Sequence, residues 1–401
     1  MRKWILYACM MCMVLTGCRP TSHMDAIPQV PVDKEVTIMQ ATDLHYLSPT
    51  LFDEGETFTK LMNTNDGKVT THSKQILDAL VQEVIDKKPS VFILSGDITF
   101  NGELISLKEV RTALRKIKEA GIPVLVVPGN HDINYIFSYS YHGDKAKPTE
   151  NISQEEFQSL MKEFGYDQAM ARDDKSFSYV IQISDHLRIM AIDGNTTMNI
   201  GTVLPETIDW MGTQLQDAKD NNAQVITFSH QNVLKQSELL YDGFIFDNAS
   251  KVRTLLQKYD VHLNLSGHSH LMHESTDKEL TDICTGALSL YPLRYGWVSV
   301  QPDGQWQYTK KHLNLLQDES RKEFKKVIIR QVGATLEDYD IPVKDMQEML
   351  DFAIAFNISF FTQENYDPKQ LLSQNGFTLW QMYASDTMWF TYMNTALHES
   401  N

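Results

Sequence analysis

Cysteine is scarce: the 401 residues contain four, Cys9, Cys12, Cys18 and Cys284, and three of these lie within the first 18 positions. The rest of the chain can build neither a disulfide framework nor a thiolate zinc cluster. Any metal bound there must be held by nitrogen and oxygen donors. Positive charge is also short, with 36 Lys and Arg against 52 Asp and Glu, a net charge of -16 and no long basic run. A sequence-specific nucleic-acid surface that tracks phosphates is therefore not expected. A small anionic substrate stays open, because bound cations reverse the local field. No apolar run reaches the roughly 20 residues that cross a bilayer as a helix, and no internal repeat or low-complexity tract occurs. What remains is an ordinary globular composition, 42% hydrophobic and 22% charged, long enough for one large catalytic domain and a smaller unit beside it.

The N-terminus stands apart. Arg2 and Lys3 precede an apolar stretch at residues 4–16, too short for a membrane span but fitting the core of a signal peptide. It ends in Leu15-Thr16-Gly17-Cys18, which resembles a bacterial lipobox. The expectation is a signal peptide over 1–17, cleavage before a lipidated (palmitoylated) Cys18, and a flexible tether over 18–34 carrying Pro20, Pro28 and Pro31. The protein would then sit on the extracytoplasmic face of a bacterial cell membrane.

Residues 36–42 read as a strand ending at Asp43-Leu44-His45, and residues 47–69 as a long polar loop. Ile76, Leu77, Leu80, Val81, Val84 and Ile85 recur at helical spacing, and Pro89 stops that helix. Residues 91–94 form the next strand, leading into Ser95-Gly96-Asp97; Leu104, Leu107, Val110, Leu114 and Ile117 mark a second helix, closed by Gly121. Residues 124–127 end at Pro128-Gly129-Asn130-His131-Asp132, a turn that lifts its side chains out of the sheet. This alternation predicts an α/β fold with a parallel sheet. An aromatic loop with Tyr135, Phe137, Tyr139 and Tyr141 follows, then a helix at 154–164 and antiparallel strands at 177–183 and 187–192. Strands at 225–228 and 261–265 alternate with helices at 205–219 and 252–259, and end at Ser229-His230 and Ser266-Gly267-His268-Ser269-His270. Strands near Thr285, 297–300 and 306–309 complete a domain expected over 35–315. Residues 316–401 turn to helices rich in Met and aromatics, including Phe352, Phe356, Phe360, Trp380 and Trp389, a stripe that reads as packed core in a small helical domain.

Five strand exits carry metal-type donors: Asp43 with His45, Asp97, Asn130 with His131, His230, and His268 with His270. Carboxylate, imidazole and amide carbonyl suit Zn, Mn or Fe. Residues two apart at a strand end face the same side, so Asp-x-His and His-x-His each aim two donors at one point. His273 lies near His270 as an alternative donor. Each piece alone is an ordinary turn, but five in one α/β pattern are not independent.

In this order, Asp-x-His, Gly-Asp, Gly-Asn-His-Asp, a lone His and Gly-His-x-His resemble the calcineurin-like metallophosphoesterase superfamily over most of residues 36–315. More narrowly, Leu94-Ser95-Gly96-Asp97-Ile98-Thr99-Phe100-Asn101-Gly102 and Pro128-Gly129-Asn130-His131-Asp132 are similar to bacterial class III cyclic-nucleotide phosphodiesterases, including lipid-anchored ones with a helical C-terminal extension. The resemblance implies a four-layer αββα sandwich and two divalent or trivalent transition-metal ions (Mn, Fe or Zn). By it, Asp43, His45 and His270 hold one ion, Asn130, His230 and His268 hold the other, and Asp97 bridges them. His131 stays off the metals as the catalytic general acid at the leaving group, and the nucleophile is a water activated between the ions. Which carboxylate orients His131 is open, Asp132 being the neighbour in sequence. Tyr135, Tyr139 and His142 are candidate substrate-binding residues that would stack on a nucleobase. The expected function is hydrolysis of a small phosphodiester, a cyclic nucleotide or similar. The alternatives are a phosphomonoesterase and a glycerophosphodiester or lipid-headgroup hydrolase. An inert surface scaffold is disfavoured because every donor position is filled.

Overall fold

The structure is a computed structural model that describes residues 27–196, 199–240 and 242–399; the expected signal peptide, the lipidation site Cys18 and the first part of the tether lie outside the described residues. Ile27 is buried and the Val30 N–H donates to the Ile183 carbonyl at 2.8 Å, so the last part of the stretch read as a tether is docked on the domain.

The first sheet begins with β1 (Val36–Ala41), buried at all positions but Thr37. Residues 47–69 are not one loop. They contain α1 (Glu56–Thr64), whose apolar stripe of Phe58, Leu61 and Met62 is too short to show a period in the sequence. Parallel strands need a crossover, and α2 (Ser73–Lys87) and α3 (Leu104–Glu119) supply two, linking β1 to β2 (Val91–Ser95) and β2 to β3 (Val124–Val127). Their periodic residues, Leu80 and Val84 on one and Leu107 and Leu114 on the other, are fully buried against this sheet. A hairpin, β4 (Tyr139–His142) with β5 (Lys145–Pro148), stands where the sequence predicted an aromatic loop. Every residue of β5 is exposed, so it carries no buried-face alternation to detect. The helix α4 (Gln154–Met161) starts on a capping box between Ser153 and Glu156.

The second sheet takes β6 (Ala171–Arg172), β7 (Tyr179–Ser184) and β8 (Leu187–Ile192); a small ladder, β9 (Asn195–Thr196) with β10 (Asn199–Ile200), follows. Then come α5 (Pro205–Asp220), β11 (Gln224–Ser229), α6 (Ala249–Lys258), β12 (Leu263–Ser266), β13 (His273–Asp277) and β14 (Leu280–Cys284). The order is β13-β14-β12-β11-β8-β7-β6, parallel through its four central strands and antiparallel at both margins. The polar edge strand β13 is absent from the sequence reading, because an edge needs no apolar face. Finally β15 (Arg294–Val300) and β16 (Trp306–His312) return to the first sheet, which runs β16-β15-β1-β2-β3.

Residues of both sheets, among them Ile38, Phe92, Ile189 and Phe228, share one buried cluster with α2 and α3. Met190 and Ile192 pack instead against Met211 and Leu215 of α5 and Val252 and Leu256 of α6. The layers are therefore helix, sheet, sheet, helix. A second core gathers α7 (Gln317–Leu336), α8 (Val343–Thr362), α9 (Pro368–Leu372), α10 (Asn375–Tyr383) and α11 (Met388–His398) around Phe356 and Trp380. Leu271, Ala287 and Leu290 of the sandwich belong to that same cluster, so the helical region is packed onto the sandwich. Among the described residues, no helix is long and apolar enough to cross a membrane.

Candidate metal centre

All the predicted donors lie just beyond the carboxyl ends of the parallel strands β1, β2, β3, β11 and β12, the rim where open α/β sheets bind ligands. The reason they converge is not the strand alternation expected from the sequence. Asp43 (φ 53°), His45 (φ 45°), Asp97 (φ 46°), His268 (φ 68°) and His270 (φ 61°) are all in the left-handed region, past the last strand residue. Each such position costs about 1–3 kcal/mol and persists only where the surroundings hold it. Here they do: the Asp43 N–H donates to Gly96 O, the His45 N–H to Asp97 O, and the Gly267 N–H to His230 O, stitching neighbouring exits together. Gly96 (φ 89°) sits under His230, where a Cβ would stand 2.5 Å from Nδ1. Only a residue without a side chain lets the two exits approach.

The donor atoms form two groups that share one carboxylate. Asp43, His45, Asp97 and His270 make one; Asp97, His230 and His268 make the other, with ligand atoms in each group within 4.8 Å of one another. In the first, His45 Nε2 faces His270 Nε2 at 3.2 Å, and Asp43 Oδ1 lies 3.4 Å from His270 Nε2. Asp97 Oδ2 is 3.6 Å from His45 Nε2, while its Oδ1 is 3.3 Å from His230 Nε2. The Asn130 Oδ1 reaches the second group, 3.0 Å from His230 Nε2, and His268 Nδ1 is 3.1 Å from the same atom. His273 is elsewhere: it opens β13 with Nδ1 3.4 Å from Gln236 Oε1.

Backbone carbonyls select the tautomers. Ser95 O takes the His230 Nδ1–H at 3.0 Å and Gly243 O takes the His268 Nε2–H at 2.7 Å, so each ring turns its other nitrogen inward. Burial first, then the Lys68 ammonium, hold the His45 imidazole well below its ordinary value. Burial and the neighbouring His230 bring His268 down to about 4. Both are neutral donors near pH 7. Burial pushes the Asp97 carboxyl up, but the His230 and His131 imidazoles outweigh it and hold Asp97 well below the usual carboxylate range. His230 goes the other way: against burial, the Asp97 charge and hydrogen bond raise it to about 9, so positive charge is favoured at this point.

These residues fit a pair of cations. Among the described residues Asp43 Oδ1 is buried with no hydrogen-bond partner, although burying a carboxylate oxygen unpaired is costly. Its neighbours are the two facing Nε2 atoms of His45 and His270, so one carboxylate oxygen and two ring nitrogens converge on one point. The set is all nitrogen and oxygen, and Asp97 is placed to serve both groups.

His131 is brought to the same rim, its ring 5.1 Å from that of His45 and edge-on to it. Among the described residues no carboxylate accepts from its ring. Asp132 faces away, accepting hydrogen bonds from the N–H groups of Ile98, Thr99 and Gly129 and tying the β2 and β3 exits together. The His131 Nδ1–H points instead at Asn101 Oδ1 (2.9 Å) and Phe100 O (3.1 Å), a role for Asn101 that the sequence reading missed because an amide in a turn carries no signal of its own. Tyr135 stacks on His131 at 4.5 Å. Tyr139 packs into a small cluster with Phe52 and Phe58, and the exposed His142 lies 3.6 Å from Asp53 on the outer hairpin. Neither contacts the donor groups among the described residues.

The calcineurin-like phosphoesterase family profile matches residues 36–272, which is most of the sandwich and every donor above. The chain belongs to that family. Among solved structures, a dimetal phosphatase from Danio rerio is 15% identical, with a TM-score of 0.49 over 70% of this chain and 99% of that one. A purple acid phosphatase from yellow lupin (Lupinus luteus) seeds is 12% identical, with a TM-score of 0.46 over 70% of this chain and 54% of that one. No curated protein matches the chain significantly. Membership of this phosphoesterase family and the donor geometry together support a phosphoester hydrolase with a dinuclear metal site.

Proposed function

We propose that this phosphoesterase is a phosphodiesterase acting on cyclic nucleotides or similar small diesters, held to the extracytoplasmic face of a bacterial membrane through a lipid on Cys18. The observation that carries the catalytic part is the shared carboxylate of Asp97 with His131 on the open side of it. Asp43, His45 and His270 would hold one ion and Asn130, His230 and His268 the other. Such a pair, when bound, supplies Lewis-acid polarisation of the phosphoryl oxygens and an activated water.

The chain's own residues do the rest. Asp43, His45, Asp97 and His230 are buried while Asn130, His131, His268 and His270 are partly exposed, so a phosphoester approaches from one face only. The His131 Nδ1–H stays on Asn101 and Phe100, which leaves Nε2 to carry the proton that the departing alkoxide takes. The stacked Tyr135 keeps the ring from swinging out, and the His131 backbone N–H, donating to Asp97 Oδ1 at 2.9 Å, fixes the turn that carries it. Beside Tyr135 lies Phe137, half exposed at 53% and edge-on to it at 5.8 Å; this pair, rather than Tyr139 and His142, offers a face for a base.

The test is turnover of bis-p-nitrophenyl phosphate against p-nitrophenyl phosphate in the presence of Mn, followed by a panel of cyclic nucleotides. A higher kcat/KM on the diester and on at least one cyclic nucleotide is expected. Preference for the monoester would move the assignment to a phosphomonoesterase. Incorporation of labelled palmitate in cells, abolished by Cys18→Ser, checks the anchor.

A further inference from the structure

Of the four ligand histidines, His230 and His268 have their tautomer set by a backbone carbonyl; among the described residues no such bond is found for His270. Its Nε2 faces Asp43 and His45, and the Asp66 Oδ2 carboxylate oxygen lies within ion-pair range of its Nδ1, at 4.0 Å. Asp66 belongs to the short loop after α1, a stretch with no metal-type motif. Lys68 bonds the same oxygen at 2.5 Å with its ammonium, and the Lys68 side chain is only 10% exposed, so the carboxylate is held in place by a buried cation.

The loop is fixed in turn. Asn65 bridges it internally, its Oδ1 accepting the Gly67 N–H and its Nδ2 donating to Lys68 O, both at 2.9 Å. Gly67 (φ 98°) lies against α7, where a Cβ would meet Phe324 Cα at 3.3 Å. The Arg330 guanidinium, also on α7, donates to the carbonyls of Asn63, Thr64 and Asn65, the last at 2.9 Å. Those are orphan acceptors at the end of α1, where a cation also complements the helix dipole. On the other side, the Val69 N–H donates to Ser289 O, and the Ser289 N–H donates to Asp43 O.

We infer that Asp66 is a positioning residue for His270, and that the C-terminal helical region supports the metal centre by holding the Asp66 loop through Arg330. A metal-ligating histidine almost always directs its other N–H to a carboxylate, carbonyl or water, which fixes the ring and raises its basicity; losing that partner lowers metal affinity about 10–100-fold. A carboxylate at ion-pair range from Nδ1 keeps the hydrogen on that nitrogen and the lone pair of Nε2 directed at Asp43 and His45. This inference rests on the metal reading of the site, and it concerns the ion on the His45–His270 side alone.

The experiment is an equilibrium titration of the metal-stripped full chain with Mn or Zn against a chromogenic chelator, with no turnover involved. Asp66→Asn, which keeps the shape and removes the charge, is expected to weaken one of the two binding steps about 10–100-fold and leave the other within twofold. Asp66→Glu should recover part of the loss, and Arg330→Met should weaken the same step. Tyr339→Phe, which removes a bond to Asp386 inside the helical region, should change neither step. Wild-type affinity in Asp66→Asn or in Arg330→Met overturns the inference, as does an equal loss at both steps. If the wild type binds two ions yet hydrolyses no phosphoester, the proposed function fails while these affinities still decide the role of Asp66.

Discussion

Replacing His131 by alanine tests the division of labour within the site. The ring makes its contacts to Asn101, Phe100 and Tyr135, and it lies in neither donor group. Its removal therefore leaves both groups intact, and two equivalents of metal should remain by elemental analysis. What is lost is the proton for the leaving oxygen, about 10²–10⁴-fold in kcat, or roughly 3–5 kcal/mol of barrier. The loss should depend on the leaving group. A p-nitrophenolate departs as a stable anion, so bis-p-nitrophenyl phosphate should be affected little, whereas an alkyl diester such as a cyclic nucleotide should take the full penalty. Asn101→Leu removes one of the two Nδ1–H acceptors and keeps Phe100 O, and should cost about tenfold on the alkyl substrate. Equal losses on both leaving groups, or metal lost together with the imidazole, would refute the general-acid assignment.

Four further outcomes can be measured. Asp97→Ala removes the carboxylate common to both groups and should abolish tight binding of both ions, measured by metal content after gel filtration. In the wild type, a chelator should lower Tm, because ions that bind only the folded chain stabilise it by mass action. Burial pushes Glu103 up to about 7 from 4.5. A carboxyl raised on folding stabilises the protein below its unfolded pKa, and that contribution is lost as pH rises from 4.5 through about 7. Glu103→Gln should thus match the wild type near pH 4.5 and gain on it by pH 8, by at most ~3 kcal/mol in denaturant unfolding. In the helical region, Phe356 is fully buried, and Phe356→Ala should cost about 3–5 kcal/mol, read as a fall in the denaturation midpoint.

The helical spacing of Leu80, Val84, Leu107 and Leu114, the short β-branched runs, and the donors placed just after them were legible in the sequence because each is a local pattern. The elements that escaped it, α1, the β4–β5 hairpin and the edge strand β13, are those with little buried face, where apolar periodicity has nothing to report. The reason given for the Asp-x-His and His-x-His pairs was also incomplete. Their side chains converge through left-handed backbone held by bonds between neighbouring strand exits, not through strand alternation.

The amino-acid sequence by itself determined the chemistry on offer: nitrogen and oxygen donors without thiolates, an α/β order that brings strand ends to one rim, and an apolar helical tail that must be packed. Tertiary structure alone decided which atoms meet. Asn101 rather than Asp132 holds His131, Gly243 lends a carbonyl to His268, and Asp66 comes up to His270 under the grip of Arg330 on α7. Side-chain identity is a one-residue property, whereas hydrogen bonds and charge pairs depend on distances of a few ångströms between segments as many as 267 residues apart.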